Sequence, residues 1–442
     1  MNIEVLSLIL FGAFFLLLTT GAPMAWVLGG IGMIFTLFIL GPTSLVQVAL
    51  CTWDTMMNFV LIAIALFIFL GFILQESGLA KALYKSMYLW TSRIPGGLGV
   101  GTILVCTLIA AMVGTIGAGI VTASTIAMPE MLKRHYNERM VIGLIMAGGT
   151  LGILIPPSVG FLVYAACTGL SVGQLLAGGI GPGFLLSALY MIYIVIRCTI
   201  NPAMGGGGRG KLVPAEEAIS WKVRVSSLKD SVPAFLLVFG VLGSIFTGVA
   251  TPTEAAAVGC FLAFGIAAIY RGLNWRMVKS SVFNTGRLFG MVFWIFACAN
   301  IFTRFYMGMG LRDYLDGIIT TWQINPWLIL IGMMLFIFLA GMIIADIAIV
   351  LVCAPIFTEL IVSLGFDPLW FGLLFLVNVQ IACLSPPFGS ALIYMRGCVT
   401  DEVGFKGVAW ASYPFIAIQI VGLALCMIFP QIILWLPHQL FT

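Results

Sequence analysis

Long apolar runs alternate with short polar stretches along the chain, and this pattern predicts its elements. Six runs precede and six follow one polar segment, residues 198–231, which contains the glycines at 205–208. A helix needs about 20 apolar residues to cross a membrane, whereas the ten-residue alternation of a barrel strand is absent. The sequence therefore predicts an all-α polytopic membrane protein. The runs cover residues 3–20, 23–40, 56–76, 97–133, 141–167, 174–197, 233–249, 254–270, 287–303, 325–362, 369–395 and 407–436.

The composition excludes most soluble functions. Of the 442 residues, 62% are hydrophobic and 8% are charged, whereas about a quarter are charged in soluble proteins. The net charge of +4 is too small to indicate nucleic-acid binding. Ten cysteines are scattered singly and there are two histidines, which argues against a zinc, haem or iron–sulfur cofactor. Without a metal motif or a nucleophile–base pair, we do not expect an intramembrane enzyme.

The two sets of six runs are interpreted as copies of one unit, because short motifs recur in the same order at offsets of 226 to 232 residues. We therefore predict a first repeat over residues 1–197, a linker over 198–231 and a second repeat over 232–442. The matching pairs are Gly21-Ala22-Pro23 with Val249-Ala250-Thr251-Pro252, Gly78-Leu79 with Gly310-Leu311, Trp90 with Trp322, Pro129 with Pro355, and Ile155-Pro156-Pro157-Ser158 with Ser385-Pro386-Pro387-Phe388.

The positions of the basic residues indicate that the two repeats have opposite orientations. With the N-terminus outside and runs 97–133 and 325–362 treated as re-entrant hairpins, 18 of the 20 basic residues lie inside, and Arg304 and Arg312 lie outside. Each repeat then crosses five times, so the repeats are inverted. The prediction is about ten crossings, two hairpins, a cytoplasmic linker and both termini on the outer side. If each of these two runs instead crosses the membrane twice, all loops lie on the same sides as before. Only the helix-breaking residues at the tips favour re-entrant hairpins.

Four breaks interrupt the apolar runs, two in each repeat. Unwound backbone at membrane depth is tolerated only where it is buried or lines a cavity, and paired broken helices form the binding sites of secondary transporters. Freed carbonyls with Ser, Thr, Asn and Asp oxygens suit Na⁺, and half-helix N-termini suit a carboxylate. The Na⁺ candidates are Gly114, Gly117, Thr150, Gly152, Gly341, Asp346, Asn378 and Ser385. The candidates for substrate binding are Gly114, Thr115, Pro156, Pro157, Ser158, Ser385, Pro386, Pro387 and Gly389.

Asp346 is the most informative acidic residue, since it lies 21 residues after Asn325 in an apolar run and is flanked by isoleucines. A carboxylate at this depth is costly and marks a functional site by default. We interpret it as a cation ligand or coupling residue, with a buried hydrogen-bonding role as the alternative. Glu254 fits either the first turn of a helix, as an N-capping residue, or a ligand role. No arginine stands out at membrane depth as a partner for a substrate carboxylate.

At these motifs the sequence resembles the large membrane subunit of tripartite ATP-independent periplasmic (TRAP) transporters. The matches follow the family's order across most of the chain. In one departure, Gly114-Thr115 is followed by Ile116-Gly117 rather than by further small hydroxyl residues, so the side chains that bind a cation at this tip are not defined by the resemblance. In another, Ser385 replaces a frequent threonine and keeps the hydroxyl. The matching segments are residues 128–131 with Tyr136, 147–158, 177–183, 250–256, Asp346 and 385–389.

The resemblance implies a Na⁺-driven importer of organic anions, typically carboxylates, in the bacterial inner membrane. It implies two partners, a soluble periplasmic binding protein that delivers the substrate and a small four-helix membrane subunit. It also implies an elevator mechanism, in which a mobile domain (residues 97–197 and 325–436) slides against a scaffold (residues 1–96 and 232–324). No cofactor is implied besides Na⁺ as the coupling ion. A stand-alone Na⁺-coupled di- or tricarboxylate symporter and, less favoured, a channel stay open as alternatives.

Overall fold

The computed structural model describes residues 3–206, 221–229, 231–270, 272–310, 314, 317 and 325–441. Within these residues the chain is helical and contains no strand, which confirms the all-α class. The α-helices are, in chain order, α1 Ile3–Thr19, α2 Met24–Phe35, α3 Val46–Met56, α4 Phe59–Glu76, α5 Leu79–Thr91, α6 Gly97–Val113, α7 Ile116–Lys133, α8 Glu138–Thr150, α9 Val159–Thr168, α10 Val172–Ile200, α11 Trp221–Leu228, α12 Val232–Phe246, α13 Pro252–Ile269, α14 Trp275–Gly308, α15 Pro326–Gly341, α16 Asp346–Ser363, α17 Pro368–Leu384, α18 Ser390–Arg396, α19 Gly404–Ile428 and α20 Gln431–Leu440.

The apolar runs coincide with helices, and their length and hydropathy fit a polytopic membrane protein. Six of the described helical segments are long and apolar enough to cross a membrane. They are α4, α10, α13, α14, α16 and Asp401–Ile428, which ends in α19. Shorter apolar helices include α6, α9, α15 and α17, which are arms of hairpins or halves of broken helices.

The structure differs from the predicted elements at several helix ends. Helices α3, α5 and α11 lie where no separate helix was predicted. Helix α14 begins at Trp275, twelve residues before the expected run at 287, because the Asn274 side chain accepts a hydrogen bond from the Met277 amide at 2.8 Å and caps the helix. The predicted run 407–436 is two helices, because Phe429 precedes a proline and leaves the helical conformation, with ψ of 79°.

Both long interrupted runs form helical hairpins, as predicted. The first hairpin, α6 and α7, turns at Gly114 and Thr115, and the second, α15 and α16, turns at residues 342–345. Gly114 has a φ of +66°, which L side chains rarely adopt. Thr115 is extended and precedes the first turn of α7. The glycine therefore supplies the reversal that the first tip needs.

Both predicted broken helices are present. Helix α8 runs into a 3₁₀ turn, Leu151–Ile153, and then Pro156-Pro157 before α9 begins. Helix α17 is followed by Pro386-Pro387 before α18 begins, and both Pro–Pro bonds are cis. Helices α8 and α17 are buried along nearly their whole length, so the first halves of the two broken helices form the centre of the molecule.

Equivalent helices of the two halves make equivalent contacts. Helix α7 packs against α18, and α16 packs against α9. In the first contact a Cβ on Gly117 would lie 2.7 Å from the Tyr394 ring, so the ring packs directly on the glycine. In the second, the Tyr164 and Thr358 hydroxyls are hydrogen-bonded at 2.7 Å. The second arm of each hairpin thus contacts the broken helix of the other half, in agreement with the duplication.

The polar segment predicted as a linker is partly helical. Its last part forms α11, which packs on α5. Trp90 donates a hydrogen bond to the Arg224 carbonyl at 3.2 Å, and the Ser86 and Ser227 hydroxyls meet at 3.3 Å. The end of the segment is therefore docked on the first half rather than extended away from it.

Part of the topology prediction falls outside the described residues. These parts are residues 207–220 and 230 of the linker, and Arg271, Leu311, Arg312 and Trp322. The sides of the loops, the orientation of the repeats in the membrane and the domain boundaries stay predictions.

Candidate functional site

A cavity of about 450 Å³ lies between the two hairpins and helices α4 and α14. The first hairpin contributes Gly114, Thr115 and Gly117 to its wall, and the second contributes Asp346. Tyr394 of α18 also lines it. The structure therefore brings predicted site residues from both halves of the chain to one cavity.

The first hairpin tip packs against the first break, by which we mean the segment 151–158 between α8 and α9. The Gly114 carbonyl accepts a hydrogen bond from the Val159 amide at 3.3 Å. A Cβ on Gly114 would lie 2.5 Å from the Pro157 carbonyl oxygen, and a Cβ on Gly152 would lie 3.0 Å from the Thr115 carbonyl oxygen. These close approaches favour glycine at both positions, and they pack the backbone of the tip directly against the backbone of the broken helix.

The hydroxyl groups of the first break are engaged with protein atoms. The Ser158 hydroxyl is buried and donates to the carbonyl five residues earlier. The Thr150 hydroxyl donates to the Ala147 carbonyl at 2.8 Å and accepts hydrogen bonds from Gln380 at 3.0 Å and Gln419 at 3.3 Å. A hydroxyl has one donor and two lone pairs, so the Thr150 side chain has no lone pair left for Na⁺. It joins α8 to α17 and α19.

The second hairpin is tied to α17. The Asn378 Nδ2 atom donates to the Met334 carbonyl of α15 at 2.6 Å. A Cβ on Gly341 would lie 2.7 Å from the Ala382 Cβ, so the end of α15 and α17 touch closely. The amide nitrogen of Asn378 therefore holds the hairpin against the broken helix, a packing role that the sequence did not reveal.

The second break is more open than the first. The Ser385 hydroxyl donates to the Ile381 carbonyl at 2.8 Å, and its carbonyl accepts from the Gly389 amide at 3.2 Å. Pro387 and the following phenylalanine are exposed, whereas Pro156, Pro157 and Ser158 are buried. Several predicted site residues do not line the cavity, namely Thr150, Gly152, Pro156, Pro157 and Ser158 of the first half and Gly341, Asn378, Ser385, Pro386, Pro387 and Gly389 of the second.

Asp346 lies at the N-terminus of α16, directly after the turn of the second hairpin. Ala345 before it is extended and is the N-cap, and Asp346 is the acidic residue of the first turn. The partial positive charge of a helix N-terminus stabilises a carboxylate at this position. The side chain is half-buried and lines the cavity. The helix therefore holds the carboxylate in place while leaving it accessible to an ion in the cavity.

Glu254, the other acidic candidate, caps α13. Its carboxylate accepts hydrogen bonds from the Thr251 amide and hydroxyl, both at 2.8 Å, and Thr251 accepts from the Glu254 amide in return. This reciprocal pair is a capping box. Of the two roles considered for Glu254, the structure supports N-capping.

Three polar residues of the cavity wall were missed by the sequence analysis, namely Gln75 on α4 and Asn284 and Arg287 on α14. The sequence analysis places Arg287 at the start of an apolar run and among the basic residues of the inner side, whereas in the structure it lies within α14, about 18 Å along the helix axis from Trp275. Arg287 is therefore an arginine of the cavity wall that the sequence analysis did not consider as a partner for a substrate carboxylate. The capping residue Asn274, followed by a helix-compatible polar segment, is the signal that could have extended the helix.

Asp346 and the backbone oxygens of the first tip are the groups of the cavity wall that could hold a cation. Among the residues that the structure describes, no three His, Cys, Asp or Glu side chains lie close enough to hold a metal ion. An ion beside Asp346 would be held by one carboxylate and neutral oxygens. Such a set is typical of Na⁺ sites in transporters and unlike the nitrogen and sulfur ligands of zinc.

Comparisons with known proteins agree with one another. The family model described as "Tripartite ATP-independent periplasmic transporter, DctM component" matches residues 11–432. The chain is similar to the C4-dicarboxylate TRAP transporter large permease protein DctM of Pseudomonas aeruginosa, with 31% identity covering 93% of this chain and 94% of that protein. It is also similar to the ectoine TRAP transporter large permease protein TeaC of Halomonas elongata, with 29% identity covering 85% and 86%.

One solved structure shares the fold. The YdaH transporter of Alcanivorax borkumensis, whose crystal structure shows an unusual topology, matches with a TM-score of 0.67 over 94% of this chain and 98% of that one. The sequence identity is 14%, so the likeness concerns the fold.

Proposed function

Because the chain belongs to the DctM family of tripartite ATP-independent periplasmic transporters, we propose that it is the large permease subunit of a Na⁺-coupled, binding-protein-dependent importer of an organic anion. The family consists of multi-pass membrane transporter subunits rather than enzymes. The single observation that carries the proposal is the cavity in which the first hairpin tip faces Asp346 of the second.

Na⁺ coupling is supported by the groups in and beside this cavity. Asp346 is a carboxylate at a helix N-terminus, and the carbonyls of Gly114 and Thr115 lie at the tip opposite. Hard oxygen ligands with one negative charge suit Na⁺, and binding of the ion beside the substrate lets the Na⁺ gradient drive import.

An elevator mechanism is supported by where the cavity lies. Its wall combines the hairpins and broken helices of the predicted mobile domain with α4 and α14 of the predicted scaffold. A sliding movement between these two groups of helices would carry the hairpin tips and their ligands past α4 and α14. Gly71 of α4 lies at this boundary, where a Cβ would be 2.9 Å from the Val113 carbonyl oxygen.

The substrate class and partners follow from the family. A relative named for C4-dicarboxylates makes an organic carboxylate the first candidate, while a relative named for ectoine shows that substrates differ within the family. We propose a small four-helix membrane subunit and a periplasmic binding protein as partners. The location is the bacterial inner membrane, with both termini on the periplasmic side.

Reconstitution tests the proposal. The permease and its small subunit are placed in proteoliposomes. The experiment measures the uptake of the carboxylate that the cognate binding protein binds. We expect uptake only with an inward Na⁺ gradient, the small subunit and the loaded binding protein together; a K⁺ gradient is the matched control. Na⁺-driven uptake by the permease alone would instead identify a stand-alone symporter, and uptake without any Na⁺ dependence would rule out the coupling.

A further inference from the structure

Arg287 is a positively charged residue in the wall of the cavity. It is exposed on α14, one helical turn from Asn284 and Met291, which line the same wall. Helix α4 packs against α14 and adds Gln75, whose buried Oε1 atom has no hydrogen-bond partner. A polar stripe that includes a cation therefore faces the hairpins from the scaffold side.

Arg287 and Asp346 carry opposite charges and line the same cavity. Among the described residues, no opposite charge lies within 4.0 Å of either side chain, and the ion pairs present join other residues. The cavity thus has an unpaired cation on one side and an unpaired carboxylate on the other.

The neighbours of Arg287 are held in place by one another. The Asn284 Nδ2 atom donates to the Ser280 hydroxyl at 3.3 Å, and that hydroxyl donates to the Glu76 carboxylate at 2.6 Å. Glu76 is thereby bonded to Ser280 and not to Arg287. The guanidinium is left with its donors available to a ligand, in a fork that matches the two oxygens of a carboxylate.

We infer that Arg287 binds the carboxylate group of the transported anion. The inference rests on the proposed function and names the residue of the scaffold that recognises the substrate. Arg287 belongs to the predicted scaffold and Asp346 to the predicted mobile domain. The contact between the anion and Arg287 is therefore made in the state described here and is broken when the hairpins slide away from α14.

The test compares anion binding by Arg287→Gln and Arg287→Lys with that of the wild-type permease co-purified with its small subunit. A panel of carboxylates that includes lactate, succinate and citrate is first tested on the wild type in NaCl. The carboxylate that raises the thermal stability most is used as the probe. Arg276→Gln is the matched control, because Arg276 is exposed on the same helix and does not line the cavity.

We expect Arg287→Gln to raise the half-saturating probe concentration at least tenfold, and to lower uptake at saturating loaded binding protein to a similar extent. Arg287→Lys keeps the positive charge but loses the forked donor geometry of the guanidinium. Its half-saturating concentration should therefore lie between those of Arg287→Gln and the wild type. Arg276→Gln should match the wild type. A half-saturating concentration unchanged in Arg287→Gln, or the absence of any stabilising carboxylate for the wild type, would overturn the inference.

A second measurement does not depend on how well a variant folds. Phenylglyoxal modifies accessible arginines, and peptide mass spectrometry reports which ones. In the wild type, the probe should protect Arg287 from modification while leaving Arg276 modified; equal modification with and without the probe contradicts the inference. If the probe protects Arg287 in a protein that shows no Na⁺-driven uptake, the proposed function is wrong, whereas the carboxylate site at Arg287 is confirmed.

Discussion

The amide of Val159 donates a hydrogen bond to the carbonyl oxygen of Gly114 at 3.3 Å. It joins the tip of the first hairpin to the first turn of α9, directly after the first Pro-Pro break. The tip of the hairpin and the start of α9 are therefore held together in one structural unit.

Gly114→Ala tests this unit. A Cβ at position 114 would lie 2.5 Å from the Pro157 carbonyl oxygen, and the φ of +66° disfavours any side chain. We expect the tip to be displaced, the thermal stability to fall and Na⁺-driven uptake to be lost. Uptake in proteoliposomes and thermal unfolding in detergent measure both effects.

Gly169→Ala is the matched control. Gly169 has a φ of +74°, but a Cβ at this position would meet nothing within 4 Å, so the substitution isolates the backbone strain. That strain costs about 1–2 kcal/mol, and we expect it to leave transport largely intact. Equal losses of uptake in both variants would show that the contact with Pro157 does not matter.

Thr150→Val should act on stability rather than on Na⁺ binding. The substitution keeps the shape but removes the acceptor for Gln380 and Gln419, whose amides then stay buried without a partner. Each orphaned donor costs about 1–3 kcal/mol. The measurements are the thermal unfolding temperature and the Na⁺ concentration that half-saturates uptake.

Two further variants serve as controls for Thr150→Val. Thr150→Ser keeps the hydroxyl and should stay close to wild type, and Thr168→Val removes a hydroxyl that donates to a carbonyl of its own helix. A weaker response to Na⁺ in Thr150→Val at unchanged stability would instead establish the side chain as a Na⁺ ligand.

Cysteine labelling tests the inverted repeats. In a protein freed of its ten native cysteines, single cysteines replace Thr115 at the first tip and Ile343 at the second. We expect a membrane-impermeant maleimide to reach position 115 from the inner side and position 343 from the outer side. Labelling of both positions from the same side would exclude the inverted arrangement.

The hairpins and breaks were predictable because glycine and proline mark them locally. Gly114 and the two Pro-Pro pairs interrupt apolar runs whatever surrounds them, so their positions can be read from the chain. The sequence could not show that the Thr150 hydroxyl is engaged in hydrogen bonds within the protein, since its partner Gln380 is 230 residues away. Arg287 was missed for a related reason, because its place in the cavity depends on how α14 packs against the hairpins.

The Na⁺ dependence of uptake by Asp346→Asn tests the central claim, that the carboxylate at the second hairpin tip couples Na⁺ to the anion. The matched control is Asp54→Asn, which removes an exposed ion pair with Arg304 at 2.8 Å and costs about 0–1 kcal/mol. We predict that Asp346→Asn assembles with the small subunit but loses about nine-tenths of its Na⁺-driven uptake, a roughly tenfold loss of rate that corresponds to about 1.4 kcal/mol of activation free energy, while Asp54→Asn keeps it. Wild-type uptake with a wild-type response to Na⁺ in Asp346→Asn would contradict the account.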